Sequence, residues 1–237
     1  MKCKHKSKSA SIFIFDRSFS HFLLLVSLFT MSSQPEEKVT SLSKKLSYVL
    51  RHGALKEDLK IAPDGFVKLD DLLKLRRFKG VSYPDIQYVV DHNDKKRFEL
   101  KEENDVYYIR ATQGHSIPVI DTDELLEKLD KVTTPVIHGT TMKAWESIKN
   151  DGLSKMNRLH IHFAIGLPND PNVKSGVRKS SEVYIFIDAD KAMKDGIKFY
   201  KSRNDVILSD GINGTIPPKY FKKAIDKHGD VLYEQPS

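Results

Sequence analysis

Residues 42–53 read Leu-Ser-Lys-Lys-Leu-Ser-Tyr-Val-Leu-Arg-His-Gly, with apolar Leu42, Leu46, Val49 and Leu50 at i, i+4, i+7 and i+8. That spacing predicts a helix with one buried face. The opposite face carries Lys44, Lys45, Tyr48, Arg51 and His52, with Ser47 at its edge and Gly53 placed to cap the end. Further on, Ile61-Ala-Pro-Asp-Gly-Phe-Val contains a turn and Leu69-Asp-Asp-Leu-Leu-Lys-Leu has helical spacing. Ser82-Tyr-Pro-Asp opens another helix with an N-cap residue and an early proline. Arg97-Phe-Glu-Leu-Lys and Val106-Tyr-Tyr-Ile-Arg alternate as the strands of a hairpin, with Glu-Glu-Asn-Asp as the turn between them.

Beyond residue 117 the pattern changes. An acidic-basic helix is expected from Asp121 to Lys131, ending at Thr133-Thr-Pro. Strand signals then dominate: Val136-Ile-His, Arg158-Leu-His-Ile-His-Phe-Ala, Val183-Tyr-Ile-Phe-Ile-Asp, Lys198-Phe-Tyr and Asp205-Val-Ile-Leu. Helices are expected at Met142–Asn150, Ala189–Lys194 and Pro218–Ile225. The fold class is α+β. Three small helices and a hairpin over 39–117 predict a winged-helix lobe, 118–135 is the junction, and 136–237 forms a mixed, largely antiparallel β lobe.

Charge sharpens the partner question only a little. The formal charge is +7, but residues 1–30 supply +4 of it through Lys2, Lys4, Lys6, Lys8 and Arg17 against Asp16, leaving +3 for the rest. A polyanion must therefore be recognised by local clusters. The one cysteine, Cys3, excludes a disulfide framework within the chain and fits a reducing compartment. Residues 1–38 read as a leader outside the fold. The basic start and the apolar run His21–Phe29 resemble a signal peptide, but no clear cleavage site follows. Met31-Ser-Ser-Gln would serve as an initiator, which favours an over-extended gene start, with organelle targeting as the second reading. The apolar run is too short to span a bilayer. A monomer in the cytoplasm or nucleus is expected.

The candidate chemistry lies in Arg and His residues at segment ends. No dinucleotide-binding, Walker, zinc-protease or nucleophile-elbow motif is present. His160 and His162 are two residues apart on one expected strand, and two ligands do not make a metal site. Arg51-His52 closes the first helix, Arg97 opens a hairpin strand, and Gln113-Gly-His-Ser116 follows the hairpin. His138-Gly-Thr140 ends a strand before a helix, where Gly139 would let a ligand approach the backbone. Arg158 begins the strand bearing His160 and His162, and Gly176-Val-Arg178 precedes another. Taken singly, each has a bland alternative: cations favour a helix C-terminus, and exposed Arg is commonly solvated. As a group they are less easily dismissed, because both expected lobes supply cations where they could face a shared cleft, and the planar donor fork of Arg suits a phosphate.

In order, Leu50-Arg-His-Gly, Asn93-Asp-Lys-Lys-Arg-Phe, Ala111-Thr-Gln-Gly-His-Ser, Ile137-His-Gly-Thr, Met156-Asn-Arg-Leu-His-Ile-His and Ser175-Gly-Val-Arg closely resemble the NAD-dependent tRNA 2′-phosphotransferases, with eukaryotic, fungal-like members nearest. The resemblance covers about residues 39–235. One departure is Val177, where the family often has Met. It implies an N-terminal winged-helix lobe and an ADP-ribosyltransferase-type C-terminal lobe, with NAD as a consumed co-substrate and 2′-phosphorylated tRNA as partner. It also implies Arg51, His52, Arg97 and Arg158 as the catalytic set. His138, Gly139, Thr140, His160, His162 and Arg178 fall on the NAD side. Lys45, Ser47, Gln113, His115 and Ser116 are expected to meet RNA. Alternatives are a non-catalytic RNA-binding module, or ADP-ribosylation of terminal phosphates or of protein.

Overall fold

The computed structural model describes residues 36–173 and 175–236, so residues 1–35 of the expected 1–38 leader, with Cys3, lie outside the described residues, while Glu36–Lys38 open the first helix. Thr40–Ser237 form one compact unit; of the unit Met1–Val39, only the opening turn of the first helix is described. Among the described residues no helix is long and apolar enough to cross a membrane.

Helix α1 (Glu36–Tyr48) buries Leu42 and Leu46, as the spacing predicts. Glu36 and Glu37 in its first turn and Lys45 in its last complement the helix dipole. Gly53 does not cap it. The chain instead widens into a π turn (Val49–Gly53) and tightens into a 3-10 turn (Ala54–Glu57). Gly53 stays right-handed at φ −105°, and the left-handed cap falls to Asp58 at φ 53°. Arg51 and His52 therefore stand on a π turn, a distortion that recurs at functional sites.

Strand β1 (Val67–Lys68), helices α2 (Leu69–Lys74) and α3 (Tyr83–Asp91), and strands β2 (Phe98–Glu103) and β3 (Val106–Ala111) follow. Ser82 and Asp85 close a capping box on α3, with the Ser82 N–H 2.9 Å from Asp85 Oδ2. The strands form an antiparallel sheet in the order β1-β3-β2. Pairing runs to Glu103–Val106, which shortens the expected hairpin turn to Asn104 and Asp105, both at positive φ as a type I′ turn requires. Leu46, Leu50, Leu69, Leu72, Phe78, Ile86 and Ile109 are fully buried in this part of the chain.

The expected helix over Asp121–Lys131 is only one turn, α4 (Thr122–Leu125), followed by β4 (Glu127–Leu129). Sheet pairing overrides the local helical pattern: Glu127 lies opposite Lys201, an opposite-charge pair on adjacent strands. The remaining elements are β5 (Ile137–Thr140), α5 (Met142–Asp151), β6 (Leu153–Ser154), β7 (Ile161–Phe163), β8 (Val183–Ile187), α6 (Ala189–Lys194), β9 (Phe199–Lys201), β10 (Ile207–Ser209), β11 (Thr215–Ile216), β12 (Phe221–Asp226) and β13 (Val231–Glu234). The helix expected at Pro218–Ile225 is a 3-10 turn (Pro218–Tyr220) running into β12, because Phe221 and Ala224 are buried and pair with β8.

Two four-stranded antiparallel sheets result, β4-β9-β10-β7 and β13-β12-β8-β5, with β6 and β11 as a small pair. Trp145, Phe163, Phe199, Tyr220 and Phe221 fill a shared core. The fold is thus mixed, with antiparallel sheets. Edge strands β5 and β7 are stitched by a single bridge, Ile137 N to Ala164 O at 3.0 Å and Ala164 N to Ile137 O at 2.8 Å.

Candidate active site

The π turn presents Arg51 and His52 next to the segment Gln113–Ser116. Ser116 N–H donates to Arg51 O at 2.9 Å, and the Ser116 hydroxyl lies 2.9 Å from His52 Nδ1. Arg51 is half-buried as a residue, but its Nε and Nη2 are buried without a partner. Burial, then repulsion from Arg97 and Arg158, pushes its pKa down to about 10. Three guanidinium groups from distant segments thus converge. Arg97 precedes β2, where its backbone N and Nη1 donate to Asn93 Oδ1 at 3.2 and 3.3 Å. Asn93 Nδ2 in turn reaches Ser43 Oγ at 3.3 Å, tying this loop to α1. Arg158 does not begin a strand as expected; it stands in a turn, its N–H on Lys155 O at 3.1 Å, three residues before β7.

Among the described residues, Arg51, Arg97, Arg158 and the exposed Arg178 make no carboxylate ion pair within 4 Å. Arg178 adds to the repulsion on Arg158, and Lys95 feels both Arg97 and Lys179. Asp94 offsets part of the burial effect on Arg97 without pairing with it, and cations gathered with so little compensation are costly unless an anion binds there.

His138 and Thr140 lie two apart on β5 and both line a cleft of 1170 Å³. Lining residues also come from the first half of the chain, His52 and Ser116, and from the second, including Arg158, His160, His162 and Arg178. Gly139 between them does not open the backbone to a ligand. A Cβ there would come within 2.4 Å of Val177 Cγ2 and 2.6 Å of Ser181 Oγ, so the bare glycine admits the loop that carries Arg178.

His138 Nδ1–H donates to His162 O at 2.9 Å, which leaves Nε2 as its acceptor nitrogen. His162 Nε2–H donates to Gln113 Oε1 at 2.7 Å. His160 lies just outside β7 and engages Thr122 Oγ1 through Nε2 at 3.0 Å, edge-on to Tyr200. Burial lowers all three pKa values: His160 to about 4, His162 well below the usual imidazole range, and His138 in the same direction. At neutral pH these rings are uncharged hydrogen-bonding groups. His52 is more exposed, and its pKa is lowered by partial burial and by Arg51 and Arg158.

The residues expected to meet RNA divide. Ser116 lines the cleft. Gln113 and His115 are 7% and 1% exposed, so neither offers its side chain to a polymer at the surface. Lys45 is exposed on α1 and Ser47 is half-buried there; neither is among the cleft-lining residues. Sequence reading missed Ala144, Ser147, Ile148 and Asp151, which line the cleft from α5. Their i, i+3, i+4, i+7 spacing was a readable signal. Lys155 and Asn157, beside Arg158, were missed as well.

Residues 36–211 match the model of the RNA 2′-phosphotransferase, Tpt1 / KptA family. The chain belongs to that family. A Schizosaccharomyces pombe relative is 44% identical over 207 residues, 86% of this chain and 56% of that one. A Danio rerio protein named tRNA 2′-phosphotransferase 1 is 46% identical over 194 residues, 80% of this chain and 86% of that one. Its Bos taurus namesake is 47% identical over 196 residues, covering 81% and 77%. All six motifs quoted above lie inside the stretch matched to the RNA 2′-phosphotransferase family, and so do Arg158 and Arg178, which line the cleft, and Arg51 and Arg97, which do not.

Proposed function

We propose that this chain transfers the internal 2′-phosphate of ligated, spliced tRNA to NAD. The observation that carries the reading is the meeting of Arg51, Arg97 and Arg158, none of them in a carboxylate ion pair among the described residues, beside a cleft of 1170 Å³. Small-ligand sites usually enclose about 300–1,000 Å³, so there is room for a dinucleotide and a nucleotide phosphate together. We read residues 39–117 as a winged-helix lobe, 118–135 as the junction and 136–237 as an ADP-ribosyltransferase-type lobe.

The residues present fit NAD. His138 and Thr140 offer uncharged polar atoms from one strand face, α5 supplies a small and partly apolar wall, and Arg178 brings positive charge for a pyrophosphate. When bound, NAD supplies a ribose carbon that takes the phosphate in exchange for nicotinamide and a ribose hydroxyl that then displaces the RNA oxygen, giving 2′-OH RNA and ADP-ribose 1″,2″-cyclic phosphate through a 2′-phospho-ADP-ribosylated RNA.

The chain's own contribution is positioning and charge. Arg51 and Arg97 orient the RNA phosphate from one side and Arg158 from the other, and all three balance charge that develops on the phosphoryl oxygens. Fixed planar donors serve this better than lysine. His52, uncharged at neutral pH and held by Ser116, can accept a proton from the attacking hydroxyl and return it to the departing RNA oxygen.

Nicotinamide leaves readily, so the second displacement depends more on the arginines. With 2′-32P-labelled RNA and NAD, Arg158→Ala therefore accumulates the ADP-ribosylated RNA as a slower-migrating band. Normal turnover without that band would remove Arg158 from this role.

A further inference from the structure

Among the described residues, five buried side-chain nitrogens lack a hydrogen-bond partner: Arg51 Nε and Nη2, Arg77 Nε, and both ring nitrogens of His115. Four of the five belong to two neighbouring side chains. An ideal Cβ on Gly114 would lie 3.5 Å from Arg51 Cδ, Nε and Cζ, so the Arg51 side chain rests against the residue before His115. Arg51 also has the largest electrostatic effect of any charge on the His115 ring, ahead of His52, His160 and Arg110. Buried polar atoms in native proteins are nearly always satisfied, so a paired deficit of this kind needs an explanation.

The donor inventory supplies one. An arginine has only N–H donors, whereas a neutral imidazole has one donor and one acceptor. Burial, reinforced by the cations around it, holds His115 at a pKa of about 3, so the ring keeps its acceptor at any physiological pH. The backbone at His115 does related work: His115 O accepts from Leu159 N–H at 2.9 Å, which fixes the residue next to Arg158. Gln113, two residues earlier, holds His162, and Ser116, one residue later, holds both Arg51 O and His52.

We propose that His115 is a positioning residue for Arg51: its unprotonated ring nitrogen accepts from the Arg51 guanidinium, directly after a small side-chain shift or through one buried water, and so aims the other N–H groups at the RNA 2′-phosphate. This rests on the 2′-phosphate reading above. It also replaces the expectation that His115 touches RNA itself. The segment Gln113–Ser116 becomes the strut that sets both guanidiniums, Arg51 through a side chain and Arg158 through the backbone.

The test compares full-length His115→Phe, which keeps bulk and removes the acceptor, with His115→Gln, which restores an acceptor. Binding of a 2′-phosphorylated oligonucleotide and of its 2′-OH twin is measured without NAD, alongside kcat, both KM values and the melting temperature. A lost hydrogen bond to a charged group predicts about ten- to hundredfold weaker binding of the 2′-phosphorylated strand by His115→Phe. Binding of the 2′-OH strand and KM for NAD stay unchanged, and His115→Gln recovers most of the loss. An undiminished preference for the 2′-phosphate in His115→Phe overturns the proposal. So does equal impairment of both variants in every readout, the signature of packing alone. A wild type that prefers the 2′-phosphorylated strand yet never removes its phosphate would sink the proposed reaction, and the binding comparison would still decide the role of His115.

Discussion

Replacing Arg51 by Met separates stability from function. The side chain brings a charge into a place where Nε and Nη2 are buried and Arg97 and Arg158 repel it, which lowers its pKa to about 10. A cation whose folded pKa is depressed destabilises the fold at every pH below that value. At about 1.4 kcal/mol per pH unit, the cost near pH 7 is about 3 kcal/mol. Methionine keeps an unbranched stem against Gly114 and removes the charge. The His115 acceptor it leaves behind returns about 1 kcal/mol of that gain. The net expectation is a protein more stable by about 1–2 kcal/mol, or a melting temperature higher by about 2–4 °C per kcal/mol. Phosphate transfer falls at least about a hundredfold, the usual effect of removing one preorganised charge-stabilising donor. Denaturant melts at fixed pH and salt give the first quantity, and single-turnover transfer gives the second. Destabilisation of Arg51→Met by more than about 1 kcal/mol would refute the reasoning, since it would show that the contacts of the guanidinium in the free protein outweigh its burial and the repulsion from Arg97 and Arg158.

Three further outcomes follow from the same geometry. His115 and His160 titrate near 3 and 4 in the folded chain against about 6.5 when unfolded, so the stability linked to their neutral forms is complete above pH 6.5 and is lost as pH falls toward those values. By pH 5 each removes about 2 kcal/mol, and a stability profile flat from pH 7 to pH 5 would contradict their burial as neutral rings. Gly139→Ala forces a methyl onto Val177 and Ser181, displaces the Arg178 loop, costs about 1–3 kcal/mol and raises KM for NAD more than KM for RNA; an alanine variant with normal stability and KM would show that the loop yields freely. Neutralising Lys95 and Lys179 together weakens RNA binding irrespective of base sequence and lowers the salt slope by about 1.4, two single-strand phosphate contacts, whereas an unchanged slope would place the strand elsewhere.

The parts that were legible in the sequence are those decided locally. The apolar stripe of α1, the Ser82–Asp85 box and the alternation of β2 and β3 each follow from spacing within one segment. Arg51-His52, Arg97 and Arg158 stood out by type and position, and the fold brings their charges together. What failed was decided by distant residues. The helix expected after Asp121 gave way to pairing with β9, and the one expected after Pro218 to pairing with β8. In the sequence alone Gly139 reads as a ligand's opening, because nothing local places Val177 and Ser181, about 40 residues on, against it. His115 illustrates the same limit, since its residue type fits RNA contact and only three-dimensional burial reveals a neutral ring behind Arg51.

The central claim is NAD-dependent removal of an RNA 2′-phosphate, and one measurement meets it directly. Full-length protein is incubated with an RNA carrying a single internal 2′-phosphate, with and without NAD, and the products are resolved. The account predicts that phosphate leaves the RNA only when NAD is present and reappears as ADP-ribose 1″,2″-cyclic phosphate beside nicotinamide and 2′-OH RNA. Retention of the RNA with its phosphate intact in both reactions, or release of free phosphate without NAD, would contradict it.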